Sequence, residues 1–109
     1  MPTPFAVPRA DGITEDGITL SPAQGVAEAI NFQAAGPERV ATTGDFVLSA
    51  KEVNPVISAL EAHHIWVTAL HTHMLTEQTR LFFLHFWAAG SPGEVAEGIK
   101  AALSDIAIK

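Results

Sequence analysis

Three histidines stand in the most apolar part of the chain. His71 and His73 are separated by one residue, and His85 follows in the next apolar stretch. Residues two apart in a β-strand share a face, so the first two are expected to be neighbours. Neutral imidazole is a ligand for zinc, copper, iron and nickel. The pattern therefore predicts a divalent-metal site with these three ligands, which holds zinc or, as alternatives, nickel, iron, manganese or copper.

Two charged residues lie between His73 and His85. Glu77 is a candidate fourth ligand or general base. Arg80 is a candidate for orienting a carboxylate or phosphate through two parallel hydrogen bonds. Three protein ligands and an open position are typical of catalytic zinc. If the site is catalytic, we expect the metal to activate water or to polarise an oxygen of a small anionic substrate. The residues alone leave open whether the chain is an enzyme.

Each of these side chains also has a structural interpretation. A histidine on an apolar strand is more often a hydrogen-bonded core residue than a ligand. Glu77 would then be a solvated loop carboxylate, and Arg80 a partner in a surface ion pair. On this alternative the chain is a non-catalytic binding or assembly module, with a structural histidine cluster and an aromatic sheet face that forms a dimer interface. A third alternative is a metal-free pocket for a small molecule on the histidine face.

Hydrophobic periodicity predicts the elements that must hold these residues. A hairpin is expected at 13–20, followed by strands at 26–35, 39–48, 65–73 and 80–88. Gly44 is a candidate β-bulge. Capping-box sequences at Ser49 and Ser91 begin two helices, with Asn54 as an alternative start for the first. The chain is therefore predicted as α+β, with a mostly antiparallel sheet of four to five strands and two helices on one face.

The strand register decides whether the histidines meet. Strands 65–73 and 80–88 are expected to pair antiparallel, because a short loop joins them. A register that sets odd residues opposite odd, such as His71 opposite His85, places all three imidazoles on one face. A slip of one residue would move His85 to the other face.

Both faces of these two strands are apolar. One face is predicted to carry Ile65, Val67, Phe83 and Trp87 with the histidines, and the other Trp66, Leu70, Met74, Phe82, Leu84 and Phe86. The helices can cover only one of them. A second copy, a further domain or a ligand is therefore expected on the other.

Length and charge limit the classes of function. At 109 residues, the chain is expected to form a single α+β domain at 13–109, preceded by an extended arm at 1–12. A net charge of −6 argues against a nucleic-acid partner, since phosphate binding needs a basic face. No apolar run approaches the roughly 20 residues of a membrane span. The apolar stretch at the N-terminus is too short for a signal peptide, and the chain has no cysteine.

Three segments resemble the LppY/LpqO family, which is built from DUF1259 domains. They are GDFVLSAKEVNPVI at 44–57, IWVTALHTHML at 65–75 and RLFFLHFW at 80–87. The resemblance extends from about Pro8 to Ala102. Five residues match the family's His-Asn-His-X3-Glu-X-Pro-Arg pattern and the histidine after it: His71, His73, Glu77, Arg80 and His85. Thr72 replaces the asparagine and Thr79 the proline.

The resemblance implies an organisation rather than a reaction. Family proteins commonly carry two such modules in tandem, and this chain resembles the second. A single module therefore implies a homodimer in place of the tandem pair. Family members are often exported or lipid-anchored in bacteria, which implies a cell-envelope location. The family has no settled activity, so the resemblance names neither a reaction nor a substrate.

Overall fold

The computed structural model describes residues 3–21 and 25–108. The elements in these residues are β1 (Thr3–Pro8), β2 (Thr14–Glu15), β3 (Ile18–Thr19), β4 (Ala27–Gly36), β5 (Arg39–Ser49), α1 (Ala50–Ala62), β6 (Trp66–His71), β7 (Leu81–Gly90) and α2 (Pro92–Leu103). The main sheet has the strand order β1-β4-β5-β7-β6 and is antiparallel throughout. β2 and β3 form a separate small hairpin. The predicted α+β fold with a mostly antiparallel sheet is confirmed.

The N-terminal segment, expected as an extended arm, is part of the main sheet. β1 is extended as predicted, but it pairs antiparallel with β4, and Phe5 lies opposite Ile30. It forms one edge of the sheet, where proline is tolerated because one side of an edge strand has no ladder partner. Residues 1 and 2 of the expected arm lie outside the described residues. The segment after β1 forms the predicted hairpin, with positive φ at both Asp16 and Gly17 in its turn.

Both helices begin where the capping sequences predict. α1 follows Ser49, whose backbone N–H donates to the Glu52 carboxylate at 2.7 Å. The alternative start at Asn54 is wrong, since Pro55 lies inside α1. α2 follows Ser91, whose hydroxyl accepts from a backbone N–H of the first turn. No helix among the described residues is long and apolar enough to cross a membrane.

The two helices cover one face of the main sheet. Phe46 of β5 and Leu84 of β7 point into a core that also contains Leu60 of α1 and Ile99 of α2. The first three of these side chains are wholly excluded from water. Because successive side chains of a strand alternate, the residues next to Phe46 and Leu84 point to the opposite face, which neither helix covers. We call this the open face. The segment between β1 and β4 covers one end of it, where a second core is formed by Ile13, Leu20, Val26, Val47, Leu81 and Phe83.

Gly44 lies on the face that the helices cover and does not form a bulge. Its register is continuous toward both neighbouring strands, so the bulge expected there is wrong. A Cβ at this position would lie 2.5 Å from the Phe86 ring and 2.5 Å from the Ala29 carbonyl oxygen. Glycine is therefore the residue that lets Phe86 pack against β5.

A bulge in β6 changes which residues share a face. The pairing with β7 shifts between Val67 and Ala69. Ile65 and Val67 therefore contact the helix-side core, whereas the sequence placed them with the histidines. Trp66 lies opposite Trp87 on the open face, the reverse of its predicted position. The shift arises because the bulge adds one residue to β6 and so inverts the alternation on one side of it.

Candidate histidine site on the open face

Two of the histidines meet across β6 and β7. His85 lies opposite Ala69, and His71 lies opposite Phe83, so the two histidines are diagonal neighbours. The example register with His71 opposite His85 is wrong, but odd residues do lie opposite odd ones beyond the bulge. The Nε2 atoms of the two histidines are 2.7 Å apart. The register thus brings both imidazoles to one point of the open face.

Asp45 joins this pair and was missed by the sequence analysis. It lies directly opposite His85 in the pairing of β5 with β7, and its Oδ1 is in contact with His85 Nδ1. A carboxylate beside Nδ1 favours the tautomer that carries its proton on that nitrogen, in which the Nε2 lone pair faces His71. The signal in the sequence is an aspartate within an apolar strand. Its partner depends on strand pairing between distant segments, which the sequence pattern does not give.

His73 lies just beyond β6, in the loop that leads to β7, and not within the predicted strand. Its ring stacks on Phe83, with centroids 3.5 Å apart and an interplanar angle of 6°. It also stacks on His71, with centroids 5.0 Å apart. Burial and the neighbouring His71 lower the pKa of His73. The three imidazoles are therefore close, but His73 contributes a ring face rather than a nitrogen to the pair.

Glu77 is buried at the end of the same loop. It is 5% exposed, and its Oε1 accepts from the backbone N–H of Leu81 at 3.0 Å. Its Oε2 is buried and has no hydrogen-bond partner among the described residues. The interpretation as a solvated loop carboxylate is therefore wrong. The structure uses one carboxylate oxygen to fix the start of β7 and leaves the other free inside the loop.

Arg80 holds the loop that carries His73 and Glu77. Its Nη1 donates to the Met74 carbonyl at 2.8 Å, and its Nη2 donates to the Leu75 carbonyl at 2.6 Å. These bonds occupy both ends of the guanidinium fork that a carboxylate or phosphate would need. An anion would therefore have to compete with two loop carbonyls for this side chain.

The loop is also fastened to the small β2–β3 hairpin. The backbones of Thr14 and Gln78 exchange two hydrogen bonds of 2.5 and 2.6 Å. The hydroxyl of Thr76 donates to the Glu15 carboxylate at 2.6 Å. Arg80 and the hairpin thus hold the loop at several points, which positions its side chains before any ligand arrives.

The geometry of the nitrogen pair is close to that of a metal site. Two nitrogens on one tetrahedral zinc lie about 3.4 Å apart when the Zn–N bonds are about 2.1 Å. His71 and His85 would have to move their Nε2 atoms apart from 2.7 Å by less than about 1 Å. In residues 3–21 and 25–108, no group of three ligating side chains is already arranged around a common point.

Comparison with known proteins gives a family. A family model described as a domain of unknown function, DUF1259, matches residues 3–105. The chain belongs to the DUF1259 family. The matched range includes every element from β1 to α2, so the histidines and Asp45 are part of the DUF1259 domain itself. No curated protein and no solved structure matches this DUF1259 chain.

Proposed function

We propose that this DUF1259 chain is a divalent-metal-binding module with His71, His73 and His85 as its ligands. The observation that carries the proposal is the approach of two Nε2 atoms to 2.7 Å, with Asp45 at Nδ1 of His85. Metal-binding histidines commonly donate their other N–H to a carboxylate, which fixes the tautomer and raises ligand basicity. Zinc is the first expectation, with nickel, iron, manganese or copper as alternatives.

Each residue has a distinct part in this proposal. His71 and His85 would bind the metal from adjacent strands, and His73 would complete the set by turning its ring away from Phe83. Glu77, with its free buried Oε2, stays the candidate fourth ligand or general base. When bound, a metal with an open position supplies a Lewis acid for water or a substrate oxygen. An anionic substrate has less support, because the guanidinium of Arg80 is engaged by the loop.

Elemental analysis of protein purified without a histidine tag tests the proposal. We expect about one equivalent of zinc per chain, and a higher melting temperature when zinc is added to the stripped protein. The variants H71A and H85A should lose both effects. H63A is the matched control, since His63 is an exposed residue at the C-terminus of α1. Full metal binding by H71A and H85A would overturn the assignment.

A second candidate is a non-catalytic assembly module. Large apolar side chains are exposed on the open face and along the β6 edge, with Trp66 71% exposed, Leu70 45% and Trp87 41%. Exposed patches of this kind commonly mark interfaces. A homodimer that buries them would leave the histidine cluster with a structural role.

Sedimentation measurements separate the two candidates. The assembly candidate predicts a dimer that W66S converts to a monomer, and an oligomeric state that H71A alters without any change in metal content. The metal candidate predicts that H71A removes metal and leaves the oligomeric state unchanged. A cell-envelope location stays a prediction, which fractionation of producing cells would check.

A further inference from the structure

The open face carries a groove that starts beside the histidine pair and runs across the sheet. One cavity of about 350 Å³ is lined by Asp45 and His85 together with Asn31, Thr43 and Trp87. A second cavity of about 320 Å³ shares the last three of these residues. The two cavities are therefore one continuous groove, with the proposed metal site at one end.

The strand register explains how the groove is built. Asn31 lies opposite Thr43, Thr43 opposite Trp87, and Trp87 opposite Trp66, so these four form one row across four strands. The row next to it contains Asp45 and His85. Rows on one face are two residues apart along each strand, which is about 7 Å. A ligand that stacks on Trp87 and extends along the strands therefore reaches the histidine pair.

The polar side chains of the groove are unused by the fold. Within the described part of the chain, no hydrogen bond is formed by the side chains of Asn31, Gln33, Thr43 or Thr68. Amides and hydroxyls can both donate and accept. Groups of this kind beside an indole that is 41% exposed are suited to a ligand with an apolar ring face and hydroxyl groups at its rim.

The charges that line the groove indicate whether it binds a neutral or an anionic ligand. The second cavity has no ionisable side chain in its lining, and the ionisable groups of the first are Asp45 and His85. Together with the net charge of −6, this lining disfavours phosphates and carboxylates. We propose that the groove binds a neutral polyhydroxylated ligand, of the oligosaccharide class, with one ring stacked on Trp87 and its hydroxyls hydrogen-bonded to Asn31 and Thr43.

This inference deepens the proposed function, because it names what would lie beside the metal, but ligand binding in the groove needs no metal. Titration of the full chain in the presence of a chelator therefore tests it separately. The probes are neutral tri- and tetrasaccharides of glucose, galactose, mannose and N-acetylglucosamine, with tetragalacturonic acid as the charged counterpart. In the variant W66F, Trp87 is the one remaining tryptophan, so its emission reports directly on the groove.

We expect a saturable change in emission with at least one neutral oligosaccharide and none with the anionic one. N31A should weaken binding about tenfold, as the loss of one good hydrogen bond implies. N54A is the matched control on the exposed side of α1 and should bind normally. In the W66F background, W87F should bind more weakly, measured by calorimetry. Circular dichroism confirms that each variant is folded.

Four results would overturn the proposal. They are the absence of saturation with every neutral probe, tighter binding of tetragalacturonic acid, equal affinities for N31A and N54A, and a stable dimer in which the open face is protected from hydrogen exchange. If the protein binds neutral oligosaccharides but H71A and wild type do not differ in metal binding, the metal proposal fails and this inference stands. If zinc binds as expected but no neutral oligosaccharide binds, this inference fails and the metal proposal stands.

Discussion

The protein contains two clusters of ionisable side chains, one buried and one partly exposed to solvent. The buried cluster consists of Arg9, Glu28 and Glu52, which are 4%, 0% and 6% exposed. The open-face cluster is centred on Asp45 and His85, whose side chains are 45% and 36% exposed. Charged groups are costly to bury, so Arg9 and Glu52 pair with each other and with the backbone, whereas burial raises the pKa of Glu28 and favours its neutral form.

Within the buried cluster, Arg9 and Glu52 have several partners, whereas Glu28 accepts one hydrogen bond and its buried Oε2 has no partner among the described residues. Arg9 donates to the Glu52 carboxylate and to the Val47 carbonyl, each at 2.7 Å. Glu52 also accepts from the backbone N–H groups of Ser49 and Ala107. These bonds connect the N-terminal segment, the end of β5, the start of α1 and the C-terminal segment. The cluster therefore acts as a structural joint between distant parts of the chain.

The open-face cluster has water on one side and few partners. His71 and His85 contact each other, His85 also contacts Asp45, and the rest of their surroundings is solvent and the rings of His73 and Phe83. The number of partners around a charged group, rather than its residue type, thus distinguishes the Arg9–Glu52 pair from the open-face cluster, which is free to bind. Substitutions in the buried cluster should therefore lower stability, whereas substitutions in the open-face cluster should lower metal affinity.

Removal of Arg9 should have the largest effect. R9M leaves the Glu52 carboxylate buried without its cation, so the free energy of unfolding should fall by about 3 kcal/mol or more. Chemical denaturation measures this, with R39M as the control for an exposed arginine. Metal binding by folded R9M should be unchanged. A loss below about 1 kcal/mol would mean that the buried cluster is not a structural joint.

The next effect is a dependence of stability on pH that comes from Glu28. Burial raises the pKa of Glu28 to about 8 from an ordinary value of 4.5, although its bond from the Val47 N–H opposes this. The folded state keeps this proton while the unfolded state loses it. The contribution of Glu28 is therefore full below pH 4.5 and is lost as pH rises toward 8.

The variant E28Q isolates this contribution. Between pH 5 and 7 the wild type should lose up to about 3 kcal/mol of stability relative to E28Q, because glutamine keeps an acceptor for Val47 and does not titrate. Melting curves across this pH range measure the difference, and E61Q, at an exposed site, serves as the control. Parallel pH profiles for wild type and E28Q would contradict the assignment.

A smaller effect is expected at Asp45. D45N keeps the shape of the side chain but weakens its hold on Nδ1 of His85, so zinc affinity should fall about 10- to 100-fold. The melting temperature of the stripped protein should change little, since Asp45 is partly exposed. Competition with a zinc indicator measures the affinity, and D105N is the matched control. Unchanged affinity in D45N would remove Asp45 from the site.

Local features of the fold were predictable from the sequence, and features that depend on distant pairing were not. The hairpin at Asp16–Gly17 and the starts of both helices follow from signals a few residues long. The bulge in β6 has no such signal, because Trp66 and Val67 are both apolar and suit either face. Packing against the helices decides whether the bulge forms. The predicted faces of the residues at the start of β6 were wrong for this reason.

In the candidate site too, the contact between neighbouring strands was predictable and the contact between distant segments was not. The proximity of His71 and His85 follows from a hairpin-like pairing of neighbouring strands, so parity alone could predict it. Asp45 reaches His85 only through the pairing of β5 with β7, and α1 and β6 lie between these strands in the chain. Arg9 meets Glu52 across a comparable separation. Sequence spacing carries no information on either contact.

An anomalous difference map from crystals of the tag-free protein grown with zinc tests the proposed metal site most directly. We expect one strong peak on the open face, about 2.1 Å from Nε2 of both His71 and His85, with Asp45 still at Nδ1 of His85. A zinc peak at another set of side chains, or a direct hydrogen bond between the two imidazoles at saturating zinc, would contradict it.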